Sequence, residues 1–292
     1  MCRGDLVRTR VDITGRDETA MANPAYVLGH SAFELERLAR QERLIGSMTR
    51  EYFVGAGITP GMRVLDVGSG AGAVAFLAAE LVGPTGEVIG TDLASAAIAV
   101  ARRAAADRAL SQVSFREGNP AEMEFERPFD AIVGRYVLMF QADASSLLRQ
   151  LTRHLRPDGV IVFHESEWRS VRSDPVAPTY ERCCRWIIDT LDRVGTSPNM
   201  STKLHRAFLS AGLPSPTMRM QAHIGDAISA REWLRHVAEL AIVLAPTMEE
   251  QGVATQVEIG SDTLIDRVIQ DVEAHRSIVI GRAEIGAWVR VS

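Results

Sequence analysis

The stretch VLDVGSGAGAVAFLAAE, residues 64–80, restricts this chain more than any other. An apolar run ends in an acid, three glycines alternate with small residues, and a run of small helix formers follows. A buried strand, a bare turn and a helix start account for all three features. Backbone stripped of side chains lets a ligand come close, and the free N–H groups of a helix start favour an anionic or carboxylate partner. In an open parallel sheet, such a turn lies where ligands bind, beyond the carboxyl ends of the strands.

The flanking sequence supplies that sheet. Apolar segments predict strands at 63–67, 87–91, 112–116, 129–133 and 160–164, with helical stretches at 72–81, 95–106 and 144–154 between them. Short apolar strands alternating with helices imply an α/β fold with a parallel sheet covered on both faces and right-handed crossovers. Asp143 is expected to cap the helix at 144–154. Before the glycine loop, Phe33, Leu35, Leu38, Leu44, Ile45, Met48 and Phe53 recur at three- and four-residue spacing and predict one or two amphipathic helices. After residue 165 the pattern turns helical, within DPVAPTYERCCRWIIDTLDRVG and NMSTKLHRAFLSAG and at 230–245 and 262–275. PTMRMQAHI reads as a sixth strand and AEIGAWVRVS as a last one.

Composition narrows the function classes. A formal charge of −5 argues against the basic face of a nucleic-acid binder. No apolar run approaches the roughly 18 residues that would suggest a membrane span. MCRGDLVRTRVDITGRDETA is polar and lacks a hydrophobic signal core, so residues 1–22 are expected to form a disordered leader. Cys2, Cys183 and Cys184 make neither a disulfide framework nor a metal-ligand spacing, which suits buried thiols in the reducing cytoplasm. Residues 23–292 are expected to form one domain: a helical cap at 23–55, a cofactor-binding core at 56–168, a helical lid within 169–275 and a closing strand at 284–292.

The loop alone leaves two cofactors open. Gly68, Gly70 and Ala73 satisfy the relaxed dinucleotide fingerprint, and Asp92 lies about where its ribose-binding acid belongs. Asp66 weighs the other way. A carboxylate two residues before the first glycine repels a diphosphate and attracts an amine or a sulfonium.

In order and spacing, the segments resemble the class I S-adenosylmethionine-dependent methyltransferases of the small-molecule type. VLDVGSGAG is similar to their first motif and VIGTDLASAAIAVAR to the second, with Asp92 in the ribose position and Leu93 beside the adenine. VSFREGNPAEMEFERPFDAIVGRYVLMF resembles the stretch carrying the third and fourth motifs, and LTRHLRPDGVIVFHE the fifth strand. Asn119 departs from the family, which often has an Asp there to accept from the adenine amino group; an Asn carbonyl can accept too. The resemblance implies a Rossmann-like, doubly wound, seven-stranded sheet with an antiparallel last strand. It also implies S-adenosyl-L-methionine as cofactor, held by Asp66, Gly68, Ser69, Gly70, Asp92, Leu93, Asn119 and Pro120, with Arg135 and Tyr26 as further contacts. Gln41 and Arg43, in the helical stretch expected to lie over the cofactor, are candidates as well.

The acceptor is read by exclusion. GRYVLMF replaces the Asn/Asp-Pro-Pro-Tyr motif of the family's exocyclic-nitrogen enzymes, no cysteine follows a proline there, and no acidic cluster offers a metal site. A small-molecule substrate remains, of the kind found in secondary metabolism, with no nucleic-acid or membrane partner; a homodimer is an open assembly. His164, at the end of the fifth strand, is the candidate general base. Tyr136, Glu165 and His205 are candidates to line the substrate. Two alternatives stay open: an NAD(P)-dependent oxidoreductase, and a methyltransferase fold turned to non-methylating chemistry such as cyclisation.

Overall fold

A computed structural model describes residues 32–291. Tyr26 and the expected leader at 1–22 lie outside the described residues. The sheet is built in the expected order. Strands β1 (Arg63–Val67), β2 (Glu87–Asp92), β3 (Val113–Glu117), β4 (Phe129–Arg135) and β5 (Leu155–Glu167) are parallel, arranged β3-β2-β1-β4-β5. β1 lies between β2 and β4, so strand order reverses at its carboxyl end, where open α/β sheets bind ligands.

Among the described residues the expected seven strands are eight. β6 (Arg172–Asp174) is an unforeseen short strand, β7 (Thr217–Gly225) is the expected sixth, and β8 (Ile278–Arg290) closes the sheet. β8 runs antiparallel to β5, β6 and β7. β6 escaped the sequence reading because three residues are too few to show a period.

Helices α1 (Ala32–Ala56), α2 (Ala73–Val82), α3 (Ser95–Asp107) and α4 (Ala144–Thr152) flank the parallel strands. Asp143 caps α4 as expected, its side chain accepting from the Ser146 N–H. α5 (Pro178–Arg193), α7 (Arg231–Glu250), α8 (Gln256–Ile259) and α9 (Leu264–Ala274) pack on one another around their own apolar core, which includes Trp168, Trp233, Leu234 and Val268. Cys183 and Cys184 are buried there as free thiols. α6 (Ser201–Ser210) joins a second cluster with Ile161, Phe163 and Ile285 on one sheet face. The opposite face, with Val64, Val133, Val162 and Trp288, is covered by α1, α2 and α3. Among the described residues no helix is long and apolar enough to cross a membrane.

Strand parity sets which side chains meet. Side chains alternate between sheet faces, so residues two apart share one. Asp66 falls on the face of Val64, Arg135 on that of Val133, His164 on that of Val162, and Arg282 and Glu284 on that of Trp288. That is the face roofed by α1. Gly286 makes room for the roof: a Cβ there would lie 2.3 Å from the Tyr52 ring, whose hydroxyl donates to the Glu284 carbonyl at 2.7 Å.

Candidate active site

At the β1 tip, Asp66 is fully buried, and neither carboxylate oxygen has a hydrogen-bond partner among the described residues. Burial raises its pKa well above the ordinary value, and Asp92 and Glu42 add to the rise; Arg135 and the nearby Ala75 amide oppose it. A buried acceptor left unsatisfied costs about 1–3 kcal/mol, more when charged. The fold carries that cost beside the glycine loop.

The loop is held by its second acid. Asp92 accepts from the Gly70 N–H at 2.8 Å and from the Ala94 N–H at 2.9 Å, and the Ser69 N–H donates to the Thr91 carbonyl at 2.8 Å. Ser69 keeps a buried hydroxyl without a partner among the described residues. Gly68 and Gly70 both have positive φ, but for different neighbours. A Cβ on Gly68 would lie 2.8 Å from a Val137 methyl; one on Gly70 would meet nothing within 4 Å. Gly70 therefore borders open space of the kind a ligand fills. Leu93, 61% exposed, stands beside this loop.

Farther along, Asn119 accepts from the Ala121 N–H at 3.0 Å and donates to Glu122 at 2.9 Å, leaving one carbonyl lone pair for a ligand. Pro120 offers less than expected. Its ring nitrogen has no proton, its side chain is buried, and its carbonyl lies 2.9 Å from His154 Nε2.

Under α1 runs a continuous polar chain that sequence reading largely missed. Arg135 pairs with Glu42 and donates to Thr49 Oγ1 at 3.0 Å. Thr49 Oγ1 lies 3.0 Å from His164 Nδ1, and His164 Nε2 lies 2.9 Å from Glu284 Oε2. Glu284 also accepts from Tyr136 Oη at 2.7 Å and from Arg282 Nε at 2.8 Å, while another Arg282 nitrogen donates to Tyr136 Oη at 2.6 Å. These donors outweigh burial and hold the Glu284 carboxyl down to about 2. The signal was present in the sequence: Arg282 and Glu284 are charges in a strand whose alternate positions, Ala283, Ile285, Ala287 and Val289, are apolar.

This chain corrects the role expected of His164. An ionised Glu284 can only accept, so His164 Nε2 carries the proton, while Nδ1 faces the Thr49 hydroxyl, whose one proton is shared between this ring and the Ile45 carbonyl at 3.2 Å. Both ring nitrogens are committed, the ring has no exposed surface, and burial lowers its pKa. His164 positions its neighbours and is no general base. Tyr136 is half-buried at the end of β4 with a left-handed backbone, φ +56. Burial raises its phenol pKa, so it stays protonated.

Two further expectations are corrected. Glu165 falls on the opposite sheet face, by parity with Phe163. Its carboxylate accepts from the backbone N–H groups of Val137, Leu138 and Met139 at 2.9, 2.7 and 3.3 Å, and burial raises its pKa to about 8. It braces the turn after β4 instead of lining substrate. His205 is exposed on α6 and contacts Ser215 at 3.2 Å, apart from the other candidates. On α1, Gln41 is buried and accepts from Arg37 at 3.0 Å, whereas Arg43 is exposed.

Known proteins share this framework. A family profile described as "Methyltransferase domain" matches residues 58–196. The chain is 41% identical over 103 residues to nocamycin O-methyltransferase of Saccharothrix syringae, covering 35% of this chain and 37% of that protein. It is 38% identical over 111 residues to aklanonic acid methyltransferase DauC of Streptomyces sp. (strain C5), covering 38% and 50%. Half or less of each relative is therefore spanned. A geranyl diphosphate C-methyltransferase from Streptomyces coelicolor A3(2), solved with Mg2+, geranyl diphosphate and S-adenosyl-L-homocysteine, superimposes with a TM-score of 0.50 at 17% identity. It covers 89% of this chain and 86% of its own, and at that identity the likeness is one of fold. Residues 58–196 thus form a methyltransferase domain of the class I S-adenosylmethionine-dependent kind, with the reversal of strand order at β1 inside it and the antiparallel closing strand beyond it.

Proposed function

We propose that the chain transfers the methyl group of S-adenosylmethionine to a small molecule in a chamber between the sheet and α1. The observation that carries this reading is the unpartnered, buried carboxylate of Asp66 beside the open side of Gly70. Its position suits the ammonium of the cofactor's methionine moiety, which would supply the missing hydrogen bonds and the opposite charge. Asp92, already hydrogen-bonded to the loop, retains lone pairs for ribose hydroxyls; Leu93 and Asn119 suit the adenine. A diphosphate would bring negative charge against Asp66, which disfavours the oxidoreductase reading.

When bound, the cofactor supplies a methyl group activated by its sulfonium. The protein's part is alignment and exclusion of water. Tyr136, fixed by Glu284 and Arg282, would line the approach to that methyl. Arg135 and Thr49 tie the cofactor side of the chamber to His164 and Glu284. α5 and α7–α9, with their separate core, would form the lid over the acceptor. On this reading the domain would divide into cap, core, lid and closing strand.

Equilibrium binding tests the reading. S-adenosylmethionine is expected to bind with a stoichiometry near one and NADH not to bind. Binding of NADH in its place would overturn it.

A further inference from the structure

The outer edges of the sheet are finished differently. At β3, Arg102 donates through Nε and a terminal nitrogen to the Phe115 carbonyl at 3.2 and 2.9 Å, so that short edge carries a cationic cap. β7 pairs with β8 alone, and among the described residues nothing else bonds its backbone. An uncapped edge strand is a template for a further strand. Its side chains are not those that deter pairing: Thr217–Gly225 holds neither lysine nor proline, and Met220 and Ile224 are 58% and 65% exposed.

Two charges beside this edge also stand alone. Among the described residues neither Arg219, which lies over the Trp288 ring, nor Glu51 of α1 forms an ion pair; Glu51 accepts from the Gln221 amide at 2.6 Å. Arg219 and Gln221, two apart, share one face of β7, and Met218, Met220 and Ala222 share the other. The ladder with β8 is regular from Thr217 to Ala222 and shifts only between Ala222 and Ile224.

The occupant that matches this pattern is a second copy of the chain. In an antiparallel pair, opposed residues share a face, and like charges opposed there are unfavourable. Centred on Arg219, two copies would set arginine against arginine; centred on Gln221, they would bring both Glu51 carboxylates together. Centred on Met220, they set Met220 against its own image and Arg219 against the partner's Gln221, where the partner's Glu51 already sits. The twofold makes two such ion pairs. α1 packs on β8 and β5, so three strand spacings, roughly 14 Å, separate the two roofing helices and leave room for both.

We infer that the chain forms a twofold dimer in which β7 pairs antiparallel with β7 of a second copy, centred on Met220 and flanked by two Arg219–Glu51 ion pairs. The two sheets become one. The pairing does not depend on the reaction, so this inference stands or falls apart from the proposed function.

The test is sedimentation velocity of the full chain over the micromolar range. A species of twice the chain's 31.9 kDa is expected. R219E sets like charges across the edge and should weaken the dimer about tenfold or more; E51R should do the same, and R219E/E51R, which exchanges the charges, should regain most of the loss. A covalent readout fixes the register. Cys183 and Cys184 are buried, so C2S leaves no exposed thiol. C2S/M220C should form a disulfide-linked dimer on mild oxidation, because the two Cβ atoms meet at the twofold, whereas C2S/I224C should not. A monomer throughout the range overturns the inference. So does a dimer that R219E leaves intact and C2S/M220C fails to cross-link, since the contact would then lie on another face. Should R219E fail to fold, cross-linking of C2S/M220C decides alone.

Discussion

His164 Nε2 lies 2.9 Å from Glu284 Oε2, and this contact joins β5 to β8 on the sheet face that α1 covers. Both groups are buried, and Glu284 gathers three donors from three side chains. Its carboxyl is held down to about 2, below an ordinary value of 4.5, so it binds its proton more weakly folded than unfolded. Stability from Glu284 is therefore present above pH 4.5 and lost as pH falls toward 2. A shift of that size corresponds to roughly 3 kcal/mol. Urea unfolding at a series of pH values should show this loss in the wild type. E284Q should be less stable at neutral pH and lack that part of the acid dependence; equal acid slopes would contradict the assignment.

Gly68 and Gly70 are expected to fail differently when changed to alanine. Both require left-handed backbone, a cost of about 1–2 kcal/mol for alanine. G68A adds a clash with Val137 and should lower the melting temperature by several degrees more than G70A. G70A should keep the fold and lose cofactor affinity, because its methyl enters the open side of the loop. Thermal melts paired with calorimetry separate the two outcomes.

Glu165 braces the turn that carries Val137 against Gly68. E165A leaves three buried N–H groups without an acceptor and should cost about 2–4 kcal/mol. Hydrogen exchange should rise first at the amides of residues 137–139. Unchanged protection there would show that the brace is not what orders the turn.

Much of this was legible in the chain. A short apolar run and glycine punctuation set the bounds of β1 at Arg63–Val67, and the spacing of Asp66, Gly68, Gly70 and Asp92 brought the loop and its two acids together. The chemistry under α1 was harder to read. His164 sits at the right end of the right strand, yet its partners Thr49 and Glu284 are 115 and 120 residues away in sequence, and only the assembled sheet shows both ring nitrogens committed. Glu165 is adjacent to His164 but faces the other way, a distinction that strand parity carries and proximity in sequence hides.

Asp66 offers the most direct measurement. Its carboxyl is held well above 3.8, so above that pH keeping it protonated in the fold costs stability, increasingly until the group ionises in the folded state too. D66N removes the charge at nearly constant shape. Calorimetric titration with S-adenosylhomocysteine, paired with thermal melts of the cofactor-free protein, should show affinity about tenfold weaker and a melting temperature a few degrees higher. Undiminished affinity together with a lower melting temperature would mean that Asp66 serves the fold and not the cofactor, contradicting the account.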